Sequence, residues 1–231
     1  MTDESTPEAT KARVLQAATA HVPFDGWSDV TLRAAAGDSG VSPDLARALF
    51  PRGGIDLAVA FHQQGDQQMR DRLAALDLSA LRFRDRIALA VRTRLELIED
   101  PELVRRGSTL FALPQHAAEG ARLIWSTADA IWTVLGDEAR DVNWYTKRAT
   151  LSAVYAAVVL YWLGDTSPGH QDSWAFLDRR IDDVMQIEKA KAKLRDNPLG
   201  KALLAGPGKV MERLRAPNLP EIGLPGRSRR F

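Results

Sequence analysis

DEARDVNWYTKRATLSAVYAAVVLYWLGD, residues 137–165, has a polar head and a long uncharged body. From Ala149 to Leu163 no residue is charged and only Thr150 and Ser152 are not apolar, so the segment is expected to be buried nearly all round. At about 1.5 Å per residue it reaches ~22 Å, short of the ~30 Å core of a bilayer, which disfavours a transmembrane span. A central core helix is the expectation. Asp141 or Asn143 would cap its amide end, Gly164 would take a left-handed stop, and Trp144, Tyr145, Lys147 and Arg148 would occupy its first turns.

The same period recurs on both sides. Ala12, Leu15, Ala18 and Val22 mark a first helix that Pro23 and Gly26 are expected to end. Thr31 to Ala36, a tight connection at Gly37 to Gly40, and a helix from the Ser42-Pro43 cap through Phe50 form a helix-turn-helix layout. A fourth helix is read from Ile55 to Leu76, others from Arg84 to Ile98 and from Pro101 to Ala112. Another is expected to start at Pro114, carrying Ile124, Trp125, Ile131, Trp132 and Leu135 until Gly136 stops it. Ser167-Pro168 reads as the cap and first-turn proline of the last periodic stretch, through Trp174, Leu177, Ile181 and Met185. No strand pattern stands out, and the chain is read as all-α.

Composition bounds the chemistry. The 231 residues, 45% of them hydrophobic, suffice for one or two small domains, and the absence of cysteine excludes disulfides, thiolate metal sites and cysteine nucleophiles. MTDESTPEAT lacks the layout of a secretory signal or presequence, so a bacterial cytoplasmic protein is expected. The net charge of +1 hides an asymmetry, because the segment after Glu188 is strongly basic and the remainder acidic. Three regions are drawn: a helix-turn-helix-like module over 1–62, a helical bundle over 63–188 and a basic tail over 189–231. Within that tail Leu199, Leu203, Leu204, Val210, Met211 and Leu214 are spaced as an apolar side and Lys201, Lys209 and Arg213 as a basic one, a pattern suited to lying on an anionic membrane.

The order of helices resembles the TetR regulator fold. More specific are Asp129-x-x-Trp132, Gly136-Asp137, Asp141-x-Asn143-Trp144-Tyr145-Thr146-Lys147-Arg148, Asp165-x-Ser167-Pro168 and Trp174-x-Phe176-Leu177 with Arg180, Asp183 and Met185. These resemble the lipid-binding accessory proteins of ubiquinone biosynthesis, the coenzyme Q protein nine family, itself an offshoot of the TetR-like fold. Looser likeness runs upstream through Gly26-Trp27, Phe50, Gly53, Leu57, Phe61 and Arg86-Ile87 to Arg94-Leu95, so residues 10 to 188 are covered. Val104-Arg105 departs from the Trp-Pro usual in that family, which bears on the pocket wall.

The resemblance implies a pocket for an isoprenoid lipid. Phe111, Trp125, Ile131, Trp132, Leu135, Tyr155, Val158 and Trp162 are the bulky residues assigned to it, although periodicity alone describes ordinary core equally well. Trp144 and Tyr145 beside Arg148 have the composition of an interface anchor or of a staple at a helix entry, and the resemblance favours the interface, facing a ubiquinone-pathway hydroxylase. It also implies a homodimer, since TetR-like folds commonly pair through their last helices.

DNA binding is disfavoured. Ser42 to Phe50 holds one cation, Arg47, and residues 1–62 carry five basic against eight acidic side chains, whereas phosphate contacts supply most of the affinity for duplex DNA. No enzyme is read. His21, His62, His116 and His170 fit no metal-ligand spacing, none is expected to pair with a carboxylate by helical offset, and Asp182-Asp183 reads as a solvated helix face. The expected function is a non-catalytic, lipid-binding accessory protein that needs no cofactor and presents an isoprenoid quinone precursor from the membrane to a hydroxylase. A TetR-like transcriptional regulator with a hydrophobic effector pocket is the alternative.

Overall fold

In the computed structural model, residues 6–137 and 142–196 are described. Among them there are nine α-helices and no strand. The likeness to the TetR-like, all-α architecture expected from the sequence is thereby met in its first half: α1 (Pro7–Asp25), α2 (Asp29–Asp38), α3 (Pro43–Leu49) and the long α4 (Gly54–Ala74) follow the order read from the chain.

Local chemistry explains these bounds. The side chains of Thr6, Ser28 and Ser42 accept hydrogen bonds from Ala9, Thr31 and Leu45 N–H at 3.2, 3.2 and 3.3 Å, satisfying amides that have no intrahelical partner. Pro23 does not end α1. It lies in the last turn, where a missing N–H forfeits only one bond, and the helix closes when Gly26 N–H donates to Val22 O at 2.9 Å with Gly26 at φ 65°. Gly54 is demanded by close approach, because a Cβ there would stand 2.3 Å from the Trp27 carbonyl oxygen.

The second half comprises α5 (Phe83–Glu96), α6 (Pro101–Phe111), α7 (Ala117–Val134), α8 (Val142–Trp162) and α9 (Gln171–Asp196). α7 begins three residues after Pro114, which stays in a turn, and Gly136 at φ 79° follows its end as expected. Pro168 heads a single 3₁₀ turn, Pro168–His170, ahead of α9. Gly164 does not adopt a left-handed conformation, and Asn143 lies inside the first turn of α8 while Asp141 is outside the described residues. After α8, the Asp165 carboxylate accepts the Ser167 and Ser173 N–H groups at 2.8 and 2.9 Å and the Ser173 hydroxyl, which holds its pKa well below the usual carboxylate range.

Burial on α8 departs from expectation. Leu151, Val154, Tyr155, Val158 and Trp162 are buried, but Leu160 is 68% exposed and Tyr161 40%, so the helix is covered on one side only. No described helix is long and apolar enough to cross a membrane.

Two clusters of buried side chains organise the molecule. One joins α1 to α4, including Val14, Ala18, Phe50 and Leu57, and takes in Leu103 from α6. The other joins α4, α5, α7, α8 and α9 around Met69, Val91, Ile131, Val158 and Leu177. α4 contributes to both, and the division drawn after residue 62 falls inside this continuous helix. Arg52 fastens the two halves at the surface, donating to Asp56 at 2.8 Å and to Glu119 of α7 at 2.7 and 3.0 Å. The residues named for membrane contact, from Leu199 to Leu214, lie outside the described residues.

Candidate functional site

Where the two clusters meet, the packing leaves a cavity of about 400 Å³. It is hollow because small residues stand at the contact: Gly107 and Ser108 on α6, Ala121 on α7 and Ala156 on α8 take positions that larger side chains would fill, while Gly120 lets α7 close on Phe111, 2.7 Å from where its Cβ would stand. Its size falls in the usual range of ligand pockets, roughly 300–1,000 Å³, and its wall is mainly apolar. The mouth is rimmed by exposed Ala112, Ala117 and Leu160, and the inner end is formed by buried Ala58, Arg94, Leu123 and Tyr155. Val104 contributes to the wall, and its neighbour Arg105 donates to Leu163 O at 2.7 Å, tying α6 to the end of α8.

Of the eight residues assigned to a pocket from the sequence, Phe111 and Tyr155 line this cavity. Trp125, Ile131, Trp132, Leu135, Val158 and Trp162 do not. Ile131, Trp132, Val158 and Trp162 are buried in the α5–α9 core, Leu135 packs against that core, and Trp125 is half-buried near Trp144. The apolar face of α7 is continuous from Leu123 to Leu135, and only its first turns face the gap. Trp27, Phe61 and His62 also belong to the cavity, and the periodicity of the carboxy-terminal helices gives no sign of them because they come from the corner before α2 and from α4.

The inner end carries a polar network. Asp66 on α4 and Arg94 on α5 are both buried, with Arg94 Nε donating to Asp66 Oδ1 at 2.8 Å and Arg94 Nη2 to His62 O at 3.1 Å. From α7, Thr127 and Ser126 hydroxyls donate to the same carboxylate at 2.9 and 3.2 Å. His62 Nε2 lies 3.0 Å from Leu123 O and 2.8 Å from Thr127 Oγ1; since a carbonyl only accepts, Nε2 carries the proton. Contrary to the sequence expectation, a histidine is paired by helical offset: His62 and Asp66 are one turn apart, with Nε2 and Oδ2 at 3.6 Å. Burial nonetheless outweighs the carboxylate and lowers the His62 pKa to about 4, keeping the ring neutral near pH 7. Burial opposes the charge of Arg94, but the paired Asp66 carboxylate supports it, and the Tyr155 phenol is pushed up by its own burial.

The aromatic head of α8 forms a separate surface. Trp144 meets Tyr145 edge-on with centroids 4.8 Å apart and Trp125 at 6.0 Å, and Trp144 and Tyr145 are half-buried. Arg148, expected as a partner contact, is only 2% exposed. It donates through Nε to Asp129 and through Nη1 to Asp137 at 3.1 Å, and its guanidinium lies 4.0 Å from the Trp144 ring centroid. Arg148 thus supports Trp144 from beneath instead of facing solvent. Lys147 donates to Asp137 at 2.7 Å and lies 5.1 Å from the Trp132 ring.

Elsewhere the candidate sites are modest. Arg47, the cation of the third helix, is paired with Asp29 at 3.1 Å. Asp182 and Asp183 pair with Arg84 and Arg180 at 2.7 and 2.8 Å, and no metal-binding cluster occurs among the described residues.

The COQ9 family model matches residues 117–188, spanning α7, α8 and most of α9. The chain is 32% identical over 212 residues to "Ubiquinone biosynthesis protein COQ9, mitochondrial" from Rattus norvegicus, covering 88% of this chain and 67% of the relative. The protein of the same name from Homo sapiens is 31% identical, with 88% and 66% covered, and that from Drosophila melanogaster 32% identical, with 78% and 57% covered. The chain therefore spans about three-fifths to two-thirds of these relatives. A solved TetR transcriptional regulator from Nitrosomonas europaea ATCC 19718 superposes with a TM-score of 0.61 at 18% identity, covering 74% of this chain and 95% of that one, a likeness of fold. The relatives are named as mitochondrial proteins, a finding against the expectation of a bacterial cytoplasmic protein.

Proposed function

The chain belongs to the COQ9 family of ubiquinone biosynthesis proteins, and from that premise we propose that it is a non-catalytic lipid-binding accessory protein which presents an isoprenoid quinone precursor to a hydroxylase of the pathway. The observation that carries the reading is the apolar cavity between α4, α6, α7 and α8, which opens beside Leu160 and is large enough for part of an isoprenoid chain. The lipid itself is the cargo, and no cofactor is invoked. The basic, leucine-bearing tail after residue 197 is the segment proposed to rest on an anionic membrane and collect that cargo. The exposed Leu160 and Tyr161, the latter stacked on Phe176 at 4.5 Å, supply an apolar face for a homodimer.

Trp144 and Tyr145 are the proposed docking residues for the hydroxylase, with Arg148 orienting Trp144. A TetR-like regulator with the same cavity is less well supported, because Arg47 is already neutralised by Asp29 and the first 62 residues are net acidic.

Organic extraction of the protein purified from its native host, followed by mass spectrometry, is expected to release a polyprenylated ring compound. Repeated recovery of empty protein would remove the lipid-binding reading. For the docking surface, Trp144→Ala should weaken hydroxylase binding about thirtyfold, the equivalent of ~2 kcal/mol. Unchanged affinity would exclude it.

A further inference from the structure

The polar network at the inner end of the cavity is larger than helix packing requires. Four helices bring Asp66, Arg94, His62, Thr127 and Tyr155 to one place, and three of these residues, His62, Arg94 and Tyr155, line the cavity itself. Two nitrogen atoms of Arg94 and His62 remain unused. Arg94 Nε and Nη2 are engaged, while Nη1 has no acceptor among the described residues. With the His62 proton on Nε2, Nδ1 is left as an acceptor, and it too has no partner among the described residues. A donor and an acceptor on neighbouring side chains that line an otherwise apolar cavity are thus left for a ligand to match.

Charge decides which ligand fits. The Arg94 cation is compensated by the Asp66 carboxylate at 2.8 Å, and His62 and Tyr155 are neutral, so the inner end carries no net charge. An anionic head would be desolvated there without a countercharge of its own, whereas a hydroxyl or carbonyl could use Nη1 and Nδ1 at no such cost.

We infer that the inner end of the cavity is a recognition subsite for a neutral oxygenated group, hydroxyl or ring carbonyl, at one end of an apolar ligand, with Arg94 and His62 as the groups that select it. The ligand enters with that end first and its chain runs outward past Leu160. An oxygenated ring held this way is shielded from solvent until it is handed on. The inference rests on the proposal that the cavity holds a lipid, and it adds the orientation and the class of polar group.

Three probes of matched chain test it in the full-length protein at pH 8: farnesol, farnesoic acid as its carboxylate, and the hydrocarbon farnesene, each titrated by calorimetry. Farnesol is expected to bind at least tenfold tighter than either of the others. Arg94→Lys, which keeps a cation beside Asp66 but loses the planar fork, should reduce the preference for farnesol over farnesene to within about threefold, with folding checked by circular dichroism. Equal binding of all three probes by the unaltered protein overturns the subsite and leaves the lipid cavity standing. Tighter binding of farnesoic acid than of farnesol overturns the neutrality argument and with it the subsite. Failure of every probe to bind, in protein free of extractable lipid, overturns the cavity reading and this inference together.

Discussion

Replacing Arg148 with Met should destabilise the protein by ~3–5 kcal/mol, because a buried pair broken on one side leaves an uncompensated charge. The structure refines that figure. Arg148 serves two carboxylates, but Asp137 keeps Lys147 at 2.7 Å, so the group orphaned outright is Asp129, which is one-third exposed and can partly rehydrate. That favours the lower end, ~3 kcal/mol, to which loss of the guanidinium from the Trp144 face at 4.0 Å adds roughly 1 kcal/mol. For a chain of this size about 4 kcal/mol corresponds to a fall in Tm on the order of 10 °C. Urea titration followed by circular dichroism measures it, and Asp129→Asn in the same background supplies the coupling term, expected at ~1 kcal/mol or more. If Arg148→Met melts within ~2 °C of the unaltered protein while hydroxylase binding collapses, Arg148 is a surface contact and its clamping role is wrong.

Two further outcomes follow from other parts of the structure. His62 titrates at about 4 when folded against 6.5 when exposed, so the unfolded chain takes up the proton first; stability should be complete above pH 6.5 and fall as pH drops toward 4, by ~2 kcal/mol at pH 5 from this group. His62→Gln should remove that part of the slope between pH 7 and 5, and an unchanged slope would show that His62 protonates freely in the fold. Gly54→Ala, which drives a Cβ against the Trp27 carbonyl, should cost ~1–3 kcal/mol, whereas Gly37→Ala, with open space around it, should be neutral or stabilise by up to ~1 kcal/mol. Equal thermal shifts in the two glycine variants would mean that the α4 start is not sterically fixed.

The helices were legible because their signals are local. Ser42 ahead of Pro43, glycine after α7 and a three-to-four-residue apolar period each act within a turn or two, and each found its expected place. Pro23 misled because proline is tolerated near a helix end when the following glycine can close the turn. The motif around Trp144 was legible as a family pattern, but exposure was not: Arg148 sits under the surface because Asp129, 19 residues earlier, and Asp137 happen to converge there. The cavity was least accessible to sequence reading. Bulky residues on α7 and α8 are conspicuous, yet what makes a hollow is the alignment of Gly107, Ala121 and Ala156 on three different helices. Arg94 gave a fainter sign, a charge set between Val91 and Leu95 on an apolar stripe, and its partner Asp66 lies 28 residues away.

Trp27 stands at a corner before α2, packs on Phe61 at 5.2 Å, donates from its indole nitrogen to Leu103 O at 3.0 Å and forms part of the cavity wall. Whatever touches it inside the cavity also touches the short helices that precede α4. By thermodynamic reciprocity, a ligand that tightens this corner must bind more strongly when α1 to α3 are ordered, and those helices must in turn resist opening more when the ligand is present. Helices α1 to α3 are thus a strut of the container, and amide exchange within them becomes a remote gauge of whether the container is full.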